Sequence, residues 1–250
     1  MSAKQQEAPP LVVIEKDLPG YPAMLAATLG DKAPAALHAR GAVDLLEKPC
    51  VGFCGSRNVT EKGLDIARDC AEQAVQAGMV VVSGNARGVD RAAHRAALEH
   101  GGTTILVLPE GLDNFRVHGE LAPWWDWERT LVLSQFQPGQ AWKSWNAMAR
   151  NKTILGLVQA MIVIEAGEKG GTLDAGKQAL RLGVPLFVAH RTDMEQASKG
   201  GRMLLEQGGV RLNKSQRLGQ ADMPAVFRAM RLRCEARNAS ETHPTQASLL

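Results

Sequence analysis

Residues 51–90 read VGFCGSRNVTEKGLDIARDCAEQAVQAGMVVVSGNARGVD, and the fold follows from how that stretch is punctuated. The apolar run at residues 50–54 suits a short strand covered on both faces. It opens through Gly55, Ser56 and Arg57 into a segment where Leu64, Ala67, Ala71, Ala74 and Val75 recur at helical spacing and Gly78 marks the end. Thr60 is the N-cap candidate, but Gly63 stands where a capping box carries glutamate, so the box is incomplete. A second apolar strand at residues 79–82 leads into Ser83-Gly84-Asn85-Ala86-Arg87-Gly88. A strand that enters a helix through small residues aims unpaired backbone N–H groups past its carboxyl end, which makes an anion pocket. With an arginine in each turn, the pocket is expected to take phosphate.

The alternation continues outward. Helices are expected at residues 89–100, 144–158 and 172–182, and strands at 104–108, 161–165 and 184–189. Strands and helices alternating through short loops predict an α/β fold: an extended Rossmann-like, doubly wound, mostly parallel sheet with helices on both faces. Its ligands are expected beyond the strands' carboxyl ends. Upstream, residues 11–14 suit an edge strand, 23–29 a short helix, and the run from Ala35 a strand that turns at Gly41. Downstream, helices are expected at 198–207 and 224–237, the second basic and amphipathic, followed by a disordered polar tail. The expected organisation is a flexible leader at 1–16, the Rossmann-like domain at 17–221, and a C-terminal helix and tail at 222–250.

Composition narrows the function classes. The formal charge of +3 is too small to argue for nucleic acid from the total, so the distribution of cations has to carry that argument. Cys50, Cys54, Cys70 and Cys234 show neither disulfide nor metal spacing, which suits a reducing cytoplasm. No apolar run approaches the ~20 residues of a membrane span, and the polar start of the chain carries no signal core. The first turn does not match GxGxxG and no acidic residue ends the second strand, which disfavours NAD. Neither a P-loop, a zinc spacing nor a GxSxG elbow occurs, so no cofactor, metal or catalytic residue is expected.

Two further features join the first turns. Arg150, Asn151 and Lys152 lie on the helix before the strand at 161–165, and Gly167-Glu168-Lys169-Gly170-Gly171-Thr172 after that strand opens another helix. Glycine turns and cations gathered at one rim of a sheet suit a repeated-phosphate backbone better than one nucleotide, because each phosphate bound releases counterions. Between the two halves, residues 109–143 read as irregular. That region and the helix start after it hold every tryptophan: Trp124, Trp125, Trp127, Trp142 and Trp145. These are either a stacking platform for bases or, more in keeping with tryptophan in general, a cover over the sheet edge or a subunit contact.

Together the motifs resemble the DNA-processing protein A family, also called DprA or Smf. The likeness lies in Gly55-Ser56-Arg57, in residues 83–90 followed by Ala93-His94, and in Gly111-Leu112-Asp113. Residues 134–139 resemble the family's SEFPPG segment, residues 150–157 its RNRIIAGL helix, and Glu165-Ala166 with Gly170-Gly171-Thr172-Leu173 its EA and SGSL turn. Tyr21-Pro22 and residues 200–209 fit the flanking pieces, so the resemblance runs colinearly over residues 18–212. It implies a homodimeric protein that binds single-stranded DNA and hands it to a RecA-type recombinase in DNA uptake and recombination. Carried over, Gly55, Ser56 and Arg57 contact a phosphate, with Ser83 and Gly84 beside them. Arg87 and Gly88 shape the same pocket. Arg150, Asn151 and Lys152 line it, and Gly170, Gly171 and Thr172 offer N–H groups and a hydroxyl.

The chain departs from the family pattern at Arg116-Val117, Ala147-Met148 and Asn85, where tyrosine-proline, phenylalanine-proline and leucine are usual. A different class stays open: nucleotide sensors and LOG-like phosphoribohydrolases, whose PGGxGTxxE motif is echoed only in Gly170-Gly171-Thr172. Ala175 stands where their glutamate falls, with Asp174 displaced by one.

Overall fold

The computed structural model describes residues 7–189, 199–214 and 219–242. The start of the leader, Ser198 and the end of the tail fall outside the described residues. The strands are β1 (Val12–Glu15), β2 (Ala36–Gly41), β3 (Cys50–Gly55), β4 (Val80–Ser83), β5 (Thr104–Leu108), β6 (Thr130–Ser134), β7 (Ala160–Ile164), β8 (Leu186–Ala189) and β9 (Val210–Leu212). The α-helices are α1 (Ala23–Leu29), α2 (Glu61–Gln76), α3 (Val89–Glu99), α4 (Ser144–Leu157), α5 (Gly171–Arg181), α6 (Lys199–Glu206) and α7 (Met223–Thr242).

One nine-stranded sheet runs β1-β2-β6-β5-β4-β3-β7-β8-β9. From β6 to β9 every neighbouring pair is parallel, and β2 joins β6, and β1 joins β2, antiparallel. The chain starts the parallel sheet at β3, builds outward through β4, β5 and β6, then returns to β7 on the other side of β3. The order therefore reverses between β3 and β7, the place where a doubly wound sheet leaves a crevice.

Strand alternation supplies both faces. Cys50 of β3 and Met161 and Val163 of β7 enter the core shared with α1, α4, α5 and α6, through Leu25, Ile154, Leu155, Leu173 and Leu204. Val51, Phe53, Ile162 and Ile164 enter the core beneath α2, α3 and α7, where Ala67, Ala71, Ala74, Ala93 and Ala97 keep the helices thin. Val226 and Met230 of α7 are buried in that second core, and the helix runs on to Thr242 where a disordered tail had been expected from residue 238.

Two strands depart from the sequence expectation. The region read as irregular contains β6, which is buried along its length and links β5 to β2. Its apolar part is only Leu131-Val132-Leu133, too short to stand out beside the turn formers around it. β9 is shorter still and pairs only at the sheet edge.

The tryptophans divide by packing. Trp125 and Trp127 meet edge to face at 5.1 Å between centroids and close a small core over Leu108, Leu112 and Val132 with Phe115. Trp124 lies under the guanidinium of Arg95 at 5.6 Å. Trp142 and Trp145 are exposed. The first group thus covers β5 and β6, inside the sheet and not at its edge, while the last pair covers no part of that core.

Candidate functional site

A cavity of about 470 Å³ opens at the carboxyl ends of β3, β4 and β7, at the reversal of strand order. Gly55, Ser56, Arg57 and Asn58 of the β3–α2 turn form one wall. Gly84, Ala86 and Asp90 form the second, and Gly167, Lys169, Gly171 and Thr172 the third. Arg150, Asn151 and Met148 of α4 also line it, as do Cys54, Glu165 and Ala175.

Glycines let these pieces approach. A Cβ at Gly84 would lie 1.8 Å from Arg150 Nη1 and 2.6 Å from Asp90 Oδ2, so this glycine makes the room in which guanidinium and carboxylate converge. Arg150 is buried; its Nη1 donates to the Val107 carbonyl at 2.8 Å, while its Nε has no hydrogen-bond partner among the described residues. Gly88 has φ of 88° and a Cβ there would lie 2.3 Å from the Ser56 carbonyl oxygen, so only glycine fits on both counts.

The sequence-predicted residues do not all face the cavity. Gly55, Ser56, Arg57, Gly84, Arg150, Asn151, Gly171 and Thr172 do. Ser83 lies buried beneath it, its hydroxyl donating to the Phe53 carbonyl at 2.6 Å. Arg87 is a brace instead of a lining residue: its Nε donates to the Arg57 carbonyl at 3.3 Å and its Nη2 to Asn58 Oδ1. Gly88 and Gly170 act through backbone geometry, as the residues that open α3 and α5. Lys152 is corrected: successive helical residues point in different directions, and it lines a neighbouring groove between α4 and α5. Asn58, Lys169 and Asp90 line the cavity without having been expected there, and Met148 was expected only as a departure from the family pattern; for Lys169 and Asp90, charge and position within the glycine turns are the available signal.

Among the described residues two carboxylates line the cavity, and both are engaged. Asp90 Oδ2 accepts from the Ala86 N–H at 3.3 Å; burial raises its pKa, and Arg150 opposes that rise. Burial likewise lowers the pKa of Arg150, with Asp90 opposing. Glu165 follows β7 with φ of 54°, is buried, and accepts from the Thr60 N–H at 2.9 Å and from the Thr60 hydroxyl. Thr60 Oγ1 in turn accepts from the Gly63 N–H at 3.1 Å. These are the two bonds of a capping box, with the acid supplied from a distant strand. A Cβ at Gly63 would lie 2.3 Å from Glu165 Oε1, so the apparent gap in the local motif is where Glu165 enters.

The other groups set the turns. His94 is buried; its Nε2 donates to the Gly84 carbonyl at 2.6 Å and its Nδ1 sits 2.6 Å from the Thr104 hydroxyl. Burial lowers its pKa to about 4 and keeps it neutral. Burial also pushes the Cys54 thiol up to about 12, so no thiolate faces the cavity. Thr172 Oγ1 donates to the Gly55 carbonyl at 2.9 Å and ties α5 to β3. Among the described residues no side chain caps the N-terminus of α5, which leaves its first-turn N–H groups directed past Gly170 and Gly171.

The family model for DNA recombination-mediator protein A matches residues 12–221. The chain belongs to that family. It is 34% identical over 186 residues to the DNA processing protein DprA of Streptococcus pneumoniae, covering 74% of this chain and 65% of the relative. It is 31% identical to Protein Smf of Escherichia coli, covering 82% and 54%. The chain thus spans between about half and two thirds of the length of these relatives. The crystal structure of the Streptococcus pneumoniae DprA superposes with a TM-score of 0.72 at 32% identity, over 81% of this chain and 71% of that one. A DNA processing protein A from Helicobacter pylori, solved for its single-stranded DNA binding mode, shares the fold at a TM-score of 0.69 and 23% identity, over 92% and 97%. The DprA family thus accounts for the sheet, and the cavity lies among the motifs that carry the likeness.

Proposed function

We propose that this protein binds single-stranded DNA through the phosphates of its backbone. The observation that carries the reading is the convergence of Arg57, Arg150 and Lys169 with the uncapped N-terminus of α5 on one cavity at the strand-order reversal. Cations and oriented amides there act together on an anion, and a buried guanidinium with an unused N–H does so in a low dielectric. The ligand class is the one named for the Helicobacter pylori protein. The reading is of a binding protein and not a phosphoribohydrolase. Ala175 lines the cavity where that chemistry needs a carboxylate, and Asp174 lies in the neighbouring groove. The resemblance adds a homodimer, a RecA-type recombinase partner and a cytoplasmic setting to the proposal. The last is supported by four free cysteines, which suit a reducing compartment.

Fluorescence anisotropy with labelled strands of rising length, at rising salt, tests the central reading. Affinity should climb with length, and log K should fall with log salt at a slope of about −0.7 per phosphate contacted. Arg57→Ala should weaken all sequences alike, because phosphate contacts hold no base information. Equal affinity for a nucleoside monophosphate and a long strand would leave a nucleotide sensor in its place.

A further inference from the structure

We infer that the bound strand continues over α4 and stacks a base on Trp145. This rests on the proposed binding of single strands and adds a second subsite to it. Beside the first cavity, a groove of about 430 Å³ runs between α4 and α5, lined by Trp145, Met148, Lys152, Gln178 and Arg181, with one carboxylate, Asp174. Met148 lines both spaces, so the two adjoin across a single side chain.

Trp145 is 65% exposed and Met148 39%, unusual for large apolar side chains on a helix whose other face is core. The Lys143 ammonium lies 5.2 Å over the indole, so one face of the ring already meets a cation. Lys152 and Arg181 add positive charge along the groove against Asp174. An exposed aromatic face flanked by cations and adjoining a phosphate cradle is how a groove holds a single strand: bases stack and cations follow the backbone. A protein partner would use the indole as well, but the cations of the groove sit beside those of the phosphate site, the arrangement that one polyanionic strand crossing both would match. The geometry therefore assigns Lys152 to the strand after all, one step beyond the cavity in which the sequence placed it.

The test compares wild type, Trp145→Ala and Trp145→Phe in anisotropy with a short and a long oligothymidylate and with a long abasic strand. Trp145→Ala should weaken the long oligothymidylate about tenfold or more while barely changing the short one or the abasic strand. Trp145→Phe should restore most of the loss, because a ring and not an indole N–H is needed. Unchanged long-strand affinity in Trp145→Ala, or an equal loss on the abasic strand, overturns the inference and leaves phosphate binding standing. A drop in oligomeric state on sedimentation of Trp145→Ala also overturns it, since the indole then belongs to an interface between copies. If Arg57→Ala leaves all three ligands unaffected, it is the phosphate reading itself that falls.

Discussion

Two of the turns around the cavity each place a cation just before the glycine that opens a helix, Arg87-Gly88 and Lys169-Gly170, and have opposite surroundings. The β4–α3 turn, Gly84 to Gly88, is filled from within: Arg150 and Asp90 crowd Gly84, His94 holds its carbonyl, and the Ser56 carbonyl crowds Gly88. The β7–α5 turn is open: a Cβ at Gly170 or Gly171 would meet nothing within 4 Å, and Gly167 would meet only the Lys169 carbonyl oxygen, at 3.6 Å. The first turn uses glycine to admit the protein's own side chains, and the second uses it to leave backbone N–H groups uncovered. A glycine-rich turn is thus either a strut or a cradle, and what fills it decides which.

The contrast breaks hardest at Gly84. In Gly84→Ala the methyl takes the place of the Arg150 guanidinium, which must leave the Val107 carbonyl while the Asp90 carboxylate is crowded too. We expect a loss of about 1–3 kcal/mol of stability from overpacking. Strand affinity should fall tenfold or more as the buried cation swings away. Denaturant titration and anisotropy on the same variant read both. Wild-type affinity in Gly84→Ala would mean that Arg150 is a strut like Arg87 and not part of the binding surface.

The same contrast explains what was legible in the sequence. Glycine turns at strand ends, apolar runs and helical spacing follow from local backbone constraints, so β3, β4, β5, β7 and the helices between them were readable, and with them the place of the cavity. Which side chain fills a turn depends on elements far apart in the chain. Arg87 and Arg150 looked alike in their motifs, yet one braces the Arg57 carbonyl and the other lies buried beside Gly84. Glu165 shows this most sharply: the missing acid of the α2 capping box comes from a residue more than a hundred positions later, which no local pattern can reveal. Lys152 was misplaced for a simpler reason, that a run of three helical residues cannot all face one cavity. β6 was hidden because its burial depends on partners on both sides, while its own apolar run is brief.

A change of pH probes the strut without touching its shape. Burial holds the His94 pKa at about 4, below the ordinary 6.5, so the unfolded chain takes up the proton first as the solution is acidified. The stability it contributes is complete above about pH 6.5 and is lost as pH falls through about 4. Between pH 7 and 5 the expected loss from this group is on the order of 1 to 2 kcal/mol. Urea denaturation across that range should show the slope, and His94→Asn should flatten it. An unchanged slope in His94→Asn would place the acid sensitivity elsewhere and remove His94 as the post that holds the Gly84 carbonyl.

The smallest expected effect on stability comes from the open turn, and there its sign is the informative part. Gly171 is the first residue of α5 and lies within its right-handed backbone, so alanine costs no strain and restricts the unfolded chain. Gly171→Ala should therefore leave stability unchanged or raise it by up to about 1 kcal/mol. Its methyl nevertheless projects where Gly171 lines the cavity, in the path of a phosphate drawn to the N–H groups of that helix end. Binding should weaken severalfold while folding improves, the opposite pairing from a strut, in which both decline together. If Gly171→Ala binds strands as wild type does, the backbone passes the α5 terminus at a distance, and the cradle is made by Arg57, Arg150 and Lys169 alone.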